Sequence, residues 1–117
     1  MQLGIAGLGR MGMNMARRLI RGGHDVVAYN RTREKILQIE QEGARPADSP
    51  ADLVEKLKTP RIVWLMLPAG STVDEHISIF AQFLSAGDIL IDGGNSYYKD
   101  DIRRAETLKA KGIHYID

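Results

Sequence analysis

Four short stretches carry residue types suited to chemistry. The first is Gly7-Leu8-Gly9-Arg10-Met11-Gly12, a G-x-G-x-x-G spacing directly after an apolar run, Leu3 to Ala6. Glycine at 7 permits a sharp turn. Glycine at 9 has no Cβ to hold a ligand away from the backbone, and glycine at 12 lets a helix lie close to a sheet. The free N–H groups and the positive end of the helix dipole then face an anion, best a diphosphate. The second stretch is Asn30-Arg31-Thr32. A fold that prefers NAD usually places Asp or Glu about 20 residues past the glycines, to bind the ribose 2′-hydroxyl. Here Asn30 is neutral, and Arg31 offers a planar cation suited to a phosphate dianion. That predicts NADP, with NAD as the alternative. Thr32 either joins this contact or caps the next helix.

The third stretch is Leu67-Pro68-Ala69-Gly70, whose backbone is placed to line a cleft. The fourth is Gly93-Gly94-Asn95-Ser96. A glycine pair allows close backbone approach to a ligand, Asn95 carries two donors and an acceptor, and Ser96 carries a hydroxyl. These two side chains either face a ligand or cap the following helix; the local pattern supports both equally.

Each stretch needs an element to hold it. Leu3–Ala6 reads as a strand. Met11, Met15 and Leu19 recur at i, i+4 and i+8, with Ala16 and Ile20 beside them and Arg17, Arg18 and Arg21 on the other side. This is an amphipathic helix, its methionines core filler, ended by Gly22-Gly23. His24–Tyr29 is a second strand. Arg33–Glu42 is a helix with Ile36 and Ile39 inward and Gly43 as its stop. Ala44–Ala47 is a weak strand. Ser49-Pro50 starts a third helix, which buries Leu53, Val54 and Leu57 and is broken by Thr59-Pro60.

Arg61–Leu67 is nearly continuous apolar sequence, as in a strand covered on both faces, with Trp64 in the core. Thr72 and Glu75 form a capping-box pattern. Val73, Ile77, Phe80 and Leu84 mark the helix that follows, and His76 is expected at its surface. Ile89–Asp92 is a strand. Tyr98, Ile102, Ala105 and Leu108 are the inner face of a last helix stopped by Gly112, and His114–Asp117 is a last strand. Six strands alternating with five helices predict an α/β fold: a Rossmann-type doubly wound parallel sheet of order 3-2-1-4-5-6, helices on both faces. Every candidate stretch then lies at the C-terminal end of a strand.

Composition narrows the classes. The chain has 117 residues, 44% hydrophobic and 26% charged, which suits one domain with an ordinary core. Its net charge of +1 gives no case for nucleic acid or a membrane surface. The absence of cysteine removes disulfides, thiolate chemistry and Cys-based zinc sites, and no metal site is expected. No apolar run approaches the about 20 residues of a membrane span, and no signal-peptide pattern opens the chain. A cytoplasmic location is expected.

The motifs G-L-G-R-M-G-M-N-M-A-R-R-L, Y-N-R-T, M-L-P-A-G with V-D-E-H-I, and I-L-I-D-G-G-N-S-Y-Y resemble the N-terminal domain of the 6-phosphogluconate dehydrogenase (decarboxylating) family. That family sits within the β-hydroxyacid dehydrogenases, which include the 3-hydroxyisobutyrate enzymes. The resemblance covers essentially the whole chain, and D-G-G-N-S is the discriminating motif. It implies that Gly7, Leu8, Gly9, Arg10, Met11 and Gly12 hold the diphosphate and that Asn30, Arg31 and Thr32 hold the 2′-phosphate. It further implies that Leu67, Pro68 and Ala69 line the cofactor cleft. Asn95 would reach both nicotinamide and substrate, and Ser96 the substrate.

Members commonly carry Lys where this chain has Pro68, so one cation is missing here. The family chain continues past the last strand into a helical substrate and dimerisation domain that supplies a Lys base and a Glu acid. Lys109 and Lys111 are poor stand-ins for these. Residues 1–117 are therefore expected to be an NADP-binding domain with no catalytic residue of its own, inactive alone and monomeric. The whole enzyme, a homo-oligomer, would convert 6-phosphogluconate, a sugar phosphate, to ribulose 5-phosphate. A 3-hydroxyacid dehydrogenase of the hydroxyisobutyrate type and a stand-alone non-catalytic nucleotide-binding module are the alternatives.

Overall fold

The computed structural model describes residues 1–67, 71–93 and 98–116, without the side chains of 71–73 and 98–101. In chain order the elements are β1 (Gln2–Ala6), α1 (Arg10–Arg21), β2 (Asp25–Tyr29), α2 (Arg33–Gln41), β3 (Arg45–Pro46) and α3 (Pro50–Glu55). Then come β4 (Ile62–Leu65), α4 (Ser71–Phe83), β5 (Ile89–Asp92), α5 (Tyr98–Lys109) and β6 (His114–Ile116). The strands form one sheet of order β3-β2-β1-β4-β5-β6, every pair parallel. This is the expected doubly wound order. Between β1 and β4 the winding reverses, which is where such sheets open a crevice.

Alternation along the strands sends side chains to two cores. Leu3, Ile5, Val26 and Ala28 meet Met13 and Ala16 of α1 and Ile36 and Ile39 of α2 on one face. Ala6, Val27, Val63, Leu65 and Leu90 meet Leu53 and Val54 of α3, Ile77 and Phe80 of α4 and Leu108 of α5 on the other. Trp64 packs partly buried against the first of these cores, as its place in an apolar run implies. α3 starts as the Ser49-Pro50 pair requires: Asp52 N–H donates to Ser49 Oγ at 3.0 Å, and Asp52 in return accepts from Asp48 N–H at 2.9 Å.

The structure corrects several expectations. Met11 is 71% exposed, while Met13, which lay outside the i, i+4 stripe, is buried. At about 100° per residue a spacing of four drifts by about 40°, and Met11 ends up far round the helix from Ala16. Arg17, expected in solvent, is half-buried and pairs with Glu42 at 2.8 Å. Ile102 of α5 is 47% exposed, and Arg104 is buried in its place. Tyr98's side chain lies outside the described residues. α4 is described from Ser71, and the side chain of Thr72, read as half of a capping box, lies outside the described residues. α3 ends at Glu55, before the Thr59-Pro60 break, and β4 is shorter than the apolar run that suggests it. His76 is half-buried.

Two stability predictions follow from the packing. Phe80 has no exposed surface, so Phe80→Ala should cost about 3–5 kcal/mol, read as a lower urea midpoint at unchanged slope. Asp25 is held below the ordinary carboxylate value by hydrogen bonds from Arg45 and Gln2, and Asp52 by the backbone N–H of Asp48. The stability these carboxylates contribute is present above the ordinary value of 3.8 and disappears as pH falls through their lower folded values. Melting temperature should therefore hold down to about pH 4 and drop below it, and Asp25→Asn should flatten that drop.

Candidate functional site

Strand register lines the functional stretches up along one edge. Ala6 pairs with Tyr29 on one side and Leu65 on the other, and Leu65 pairs with Asp92. The next residue on each strand continues the ladder: Gly7 N–H donates to Tyr29 O at 2.9 Å, Met66 N–H to Ala6 O at 2.8 Å and Gly93 N–H to Leu65 O at 2.9 Å. Asn30, Gly7, Met66 and Gly93 thus stand in one row at the C-terminal ends of β2, β1, β4 and β5, where a doubly wound sheet opens a groove.

The three glycines differ as their spacing requires. Gly7 has φ of +105°, a backbone state that a side chain opposes, and the carbonyl of Met66 lies against it. A Cβ on Gly12 would run into the carbonyl oxygen of Gly7, so α1 touches the end of β1. Among the described residues, a Cβ on Gly9 would meet nothing within 4 Å. The middle glycine faces open space, which is the fit a diphosphate needs. Gly9 is the N-cap of α1 and supplies no side-chain cap, and the first turn carries no acidic residue. The first helix bond runs from Met13 N–H to Gly9 O, so the amides of the preceding turn point outward. Arg10 and Met11 are both exposed on that turn. A cavity of about 240 Å³ beside Gly9 and Arg10 is bordered by Lys35 and Arg17, which adds positive charge.

Asn30 turns out to be an organiser of this groove. Leu8 N–H donates to its Oδ1 at 2.9 Å, and its Nδ2 donates to Thr32 Oγ1 at 2.8 Å and Thr32 O at 3.2 Å. The side chain clamps the glycine turn to the tip of β2. Thr32 occupies the N-cap position of α2, but its hydroxyl makes no cap bond. Arg31 is exposed, and no ion pair ties it to a described residue. Leu67 is half-buried and its side chain lies near Gly7. Pro68, Ala69, Asn95 and Ser96 lie outside the described residues.

The sequence reading missed a buried ionic cluster on the β5 side of the same edge. Arg104 Nε donates to Asp74 Oδ1 at 2.8 Å, and its Nη1 stands 3.7 Å from Asp92 Oδ2. Tyr115 OH donates to Asp92 at 3.1 Å. The hydrogen bond from Arg104 holds Asp74 below the ordinary carboxylate value; burial works against the Arg104 charge, and Asp74 and Tyr115 together outweigh it. The available signal was Arg104 four residues before Leu108, on the same helix face. A larger cavity of about 650 Å³ runs along β6 near Ile89 and Ile116. It is a gap beside an edge strand and offers none of the helix-end amides that Gly9 exposes.

Residues 2–117 match the family described as the NAD binding domain of 6-phosphogluconate dehydrogenase. An NAD(+)-dependent, decarboxylating 6-phosphogluconate dehydrogenase of Haloferax volcanii is 44% identical over 117 residues, which is 100% of this chain and 38% of that protein. The decarboxylating enzyme of Escherichia coli is 40% identical over 98% of this chain and 25% of its own length. The chain thus spans well under half of the curated relatives it matches. The structure of Plasmodium falciparum 6-phosphogluconate dehydrogenase superposes with a TM-score of 0.88 at 34% identity, over 98% of this chain and 26% of that one. A Mycobacterium tuberculosis 3-hydroxyisobutyrate dehydrogenase gives the same TM-score of 0.88 at 20% identity, over 97% and 38%, and shares the fold.

The glycine geometry separates two substitutions. Gly9→Ala should fold with a loss of no more than about 1 kcal/mol, the cost of a poorer N-cap, and still lose nucleotide affinity about tenfold or more. Gly12→Ala should lose both stability and binding, because the obstacle is backbone. Urea unfolding and nucleotide titration of the two variants read this directly. A Gly9→Ala chain that binds like its parent contradicts the open cradle.

Proposed function

From a chain that belongs to the family of NAD binding domains of 6-phosphogluconate dehydrogenase, we infer the NADP-binding domain of a decarboxylating phosphogluconate dehydrogenase. The observation that carries this reading is the open Gly9 between two closed glycines at the start of α1. Backbone N–H groups of Gly9, Arg10, Met11 and Gly12 receive the diphosphate, with Gly7 and Leu8 shaping the turn. Asn30 holds the turn and the β2 tip in register. Arg31, with Thr32, meets the 2′-phosphate of the adenosine half. Leu67, Pro68 and Ala69 line the cofactor cleft, Asn95 reaches both the nicotinamide and a sugar-phosphate substrate, and Ser96 reaches the substrate.

The bound cofactor supplies hydride acceptance; the protein binds, orients and keeps water away. The whole protein would convert 6-phosphogluconate to ribulose 5-phosphate. Residues 1–117 carry the cofactor half of that task, and a further domain carries the acid and base. Alone, this chain binds nucleotide without turnover.

A second reading, NAD in place of NADP, is favoured by one finding: the Haloferax volcanii relative is named as NAD(+)-dependent. Against it stands the lack of a carboxylate at the tip of β2, where Asn30 is already committed to Leu8 and Thr32. Titration with both nucleotides decides between them. NADP should bind more tightly, and Arg31→Ala should weaken NADP by about tenfold while leaving NAD nearly unchanged, since only NADP carries the extra dianion. Equal loss for both removes the role given to Arg31. No binding of either nucleotide at millimolar concentration defeats the cofactor reading altogether.

A further inference from the structure

A buried guanidinium needs a reason. Arg104 sits on α5, whose sequence is otherwise mostly charged, yet only 3% of its side chain is exposed. Taking such a group out of water costs several kcal/mol unless good partners surround it, and an apolar residue of similar size often serves stability as well. Its partners are arranged along the functional edge. Asp74 lies in the first turn of α4, and Asp92 is the last residue of β5. Arg103 Nη2 adds contacts of 3.1 Å to both oxygens of Asp74, and Tyr115 of β6 holds Asp92 from the far side.

A contrast within β5 makes the placement informative. At the opposite end of the strand, Asp88 is also buried and accepts from Arg61 N–H, Ser85 N–H and Arg61 Nη1 at 2.7, 2.7 and 3.2 Å. That cluster joins the turn before β4 to the turn before β5, on the edge away from the glycines, and serves the fold. The Arg104 cluster instead joins the start of α4 to the end of β5, immediately before Gly93. The diphosphate lies over β1 and α1, and the adenosine half over the tip of β2. The other half of a dinucleotide must then lie over the ends of β4 and β5.

We propose that Arg104 is a positioning residue for the nicotinamide side of the groove: its guanidinium, hydrogen-bonded to Asp74 through Nε and ion-paired at 3.7 Å with Asp92 through Nη1, sets the spacing between the first turn of α4 and the Gly93 end of β5. The proposal rests on the dinucleotide reading above. A guanidinium spans two carboxylates in one plane, which a lysine ammonium cannot do. Removing it takes away the one group that stands within ion-pair distance of both Asp74 and Asp92 among the described contacts, and with it the tie between the two elements.

The test uses the 117-residue chain and two ligands, NADP and adenosine 2′,5′-bisphosphate, which keeps the adenosine half and lacks the nicotinamide. Arg104→Met should weaken NADP by about tenfold or more and leave the bisphosphate within about twofold, with Arg104→Lys in between. If Arg104→Met fails to fold, Asp74→Asn, whose carboxylate is partly exposed, carries the same comparison with the same expected split. Equal loss for both ligands, or no loss for either, overturns the proposal. Equal affinity of the unsubstituted chain for both ligands overturns it too, since the nicotinamide side would then contribute nothing, while the nucleotide reading stands. Binding of neither ligand by the unsubstituted chain defeats that reading and the proposal with it.

Discussion

The close approach of α1 to the end of β1 is the constraint on which the site depends. With Gly12 directly over the carbonyl of Gly7, the helix axis meets the sheet edge at short range and its first amides are delivered to the rim of the groove. A side chain at 12 would lift the helix away. A side chain at 9 would leave the helix in place and fill the space in front of it. The same three residues therefore set both the geometry and the vacancy that the geometry creates. Asn30 completes the arrangement by tying Leu8 N–H to the β2 tip, so the turn cannot rotate away from its neighbouring strand.

Two kinds of buried charge surround this frame. Asp88 satisfies backbone donors at the N-terminal edge of the sheet and closes it. Arg104 and Asp92 sit at the C-terminal edge, where the winding of the sheet opens a crevice. Division of labour between the two edges is a general property of doubly wound sheets: one end is free to be optimised for stability, the other holds its groups for a ligand. Arg10 and Lys35 border a cavity beside Gly9, together with Arg17, whose charge is paired with Glu42.

Much of this was legible in the sequence, for physical reasons. Long apolar periodicities fix element type, and the alternation of strand with helix leaves few topologies, so the order of six strands could be written down beforehand. The glycine turn was legible because each of its three positions answers a separate steric demand. Helix phase was harder: Met11 and Met13 are chemically identical, and only docking against β1 decides which is buried. Arg104 was not legible from α5 alone, since its partners come from α4 and β5, about 30 and 12 residues away in the chain. Asn30 was read as part of the nucleotide contact from the family resemblance; that its amide also ties Leu8 to Thr32 depends on the turn conformation, which the residues alone do not show.

The proposed diphosphate site consists of the backbone amides at the start of α1. Backbone amide chemical shifts, followed as NADP is added to the isotopically labelled chain, examine this residue by residue. The largest changes should fall on Gly9, Arg10, Met11 and Gly12, with smaller ones at Arg31 and Thr32. Saturable shifts confined to other parts of the chain, with those four amides unmoved, would contradict it.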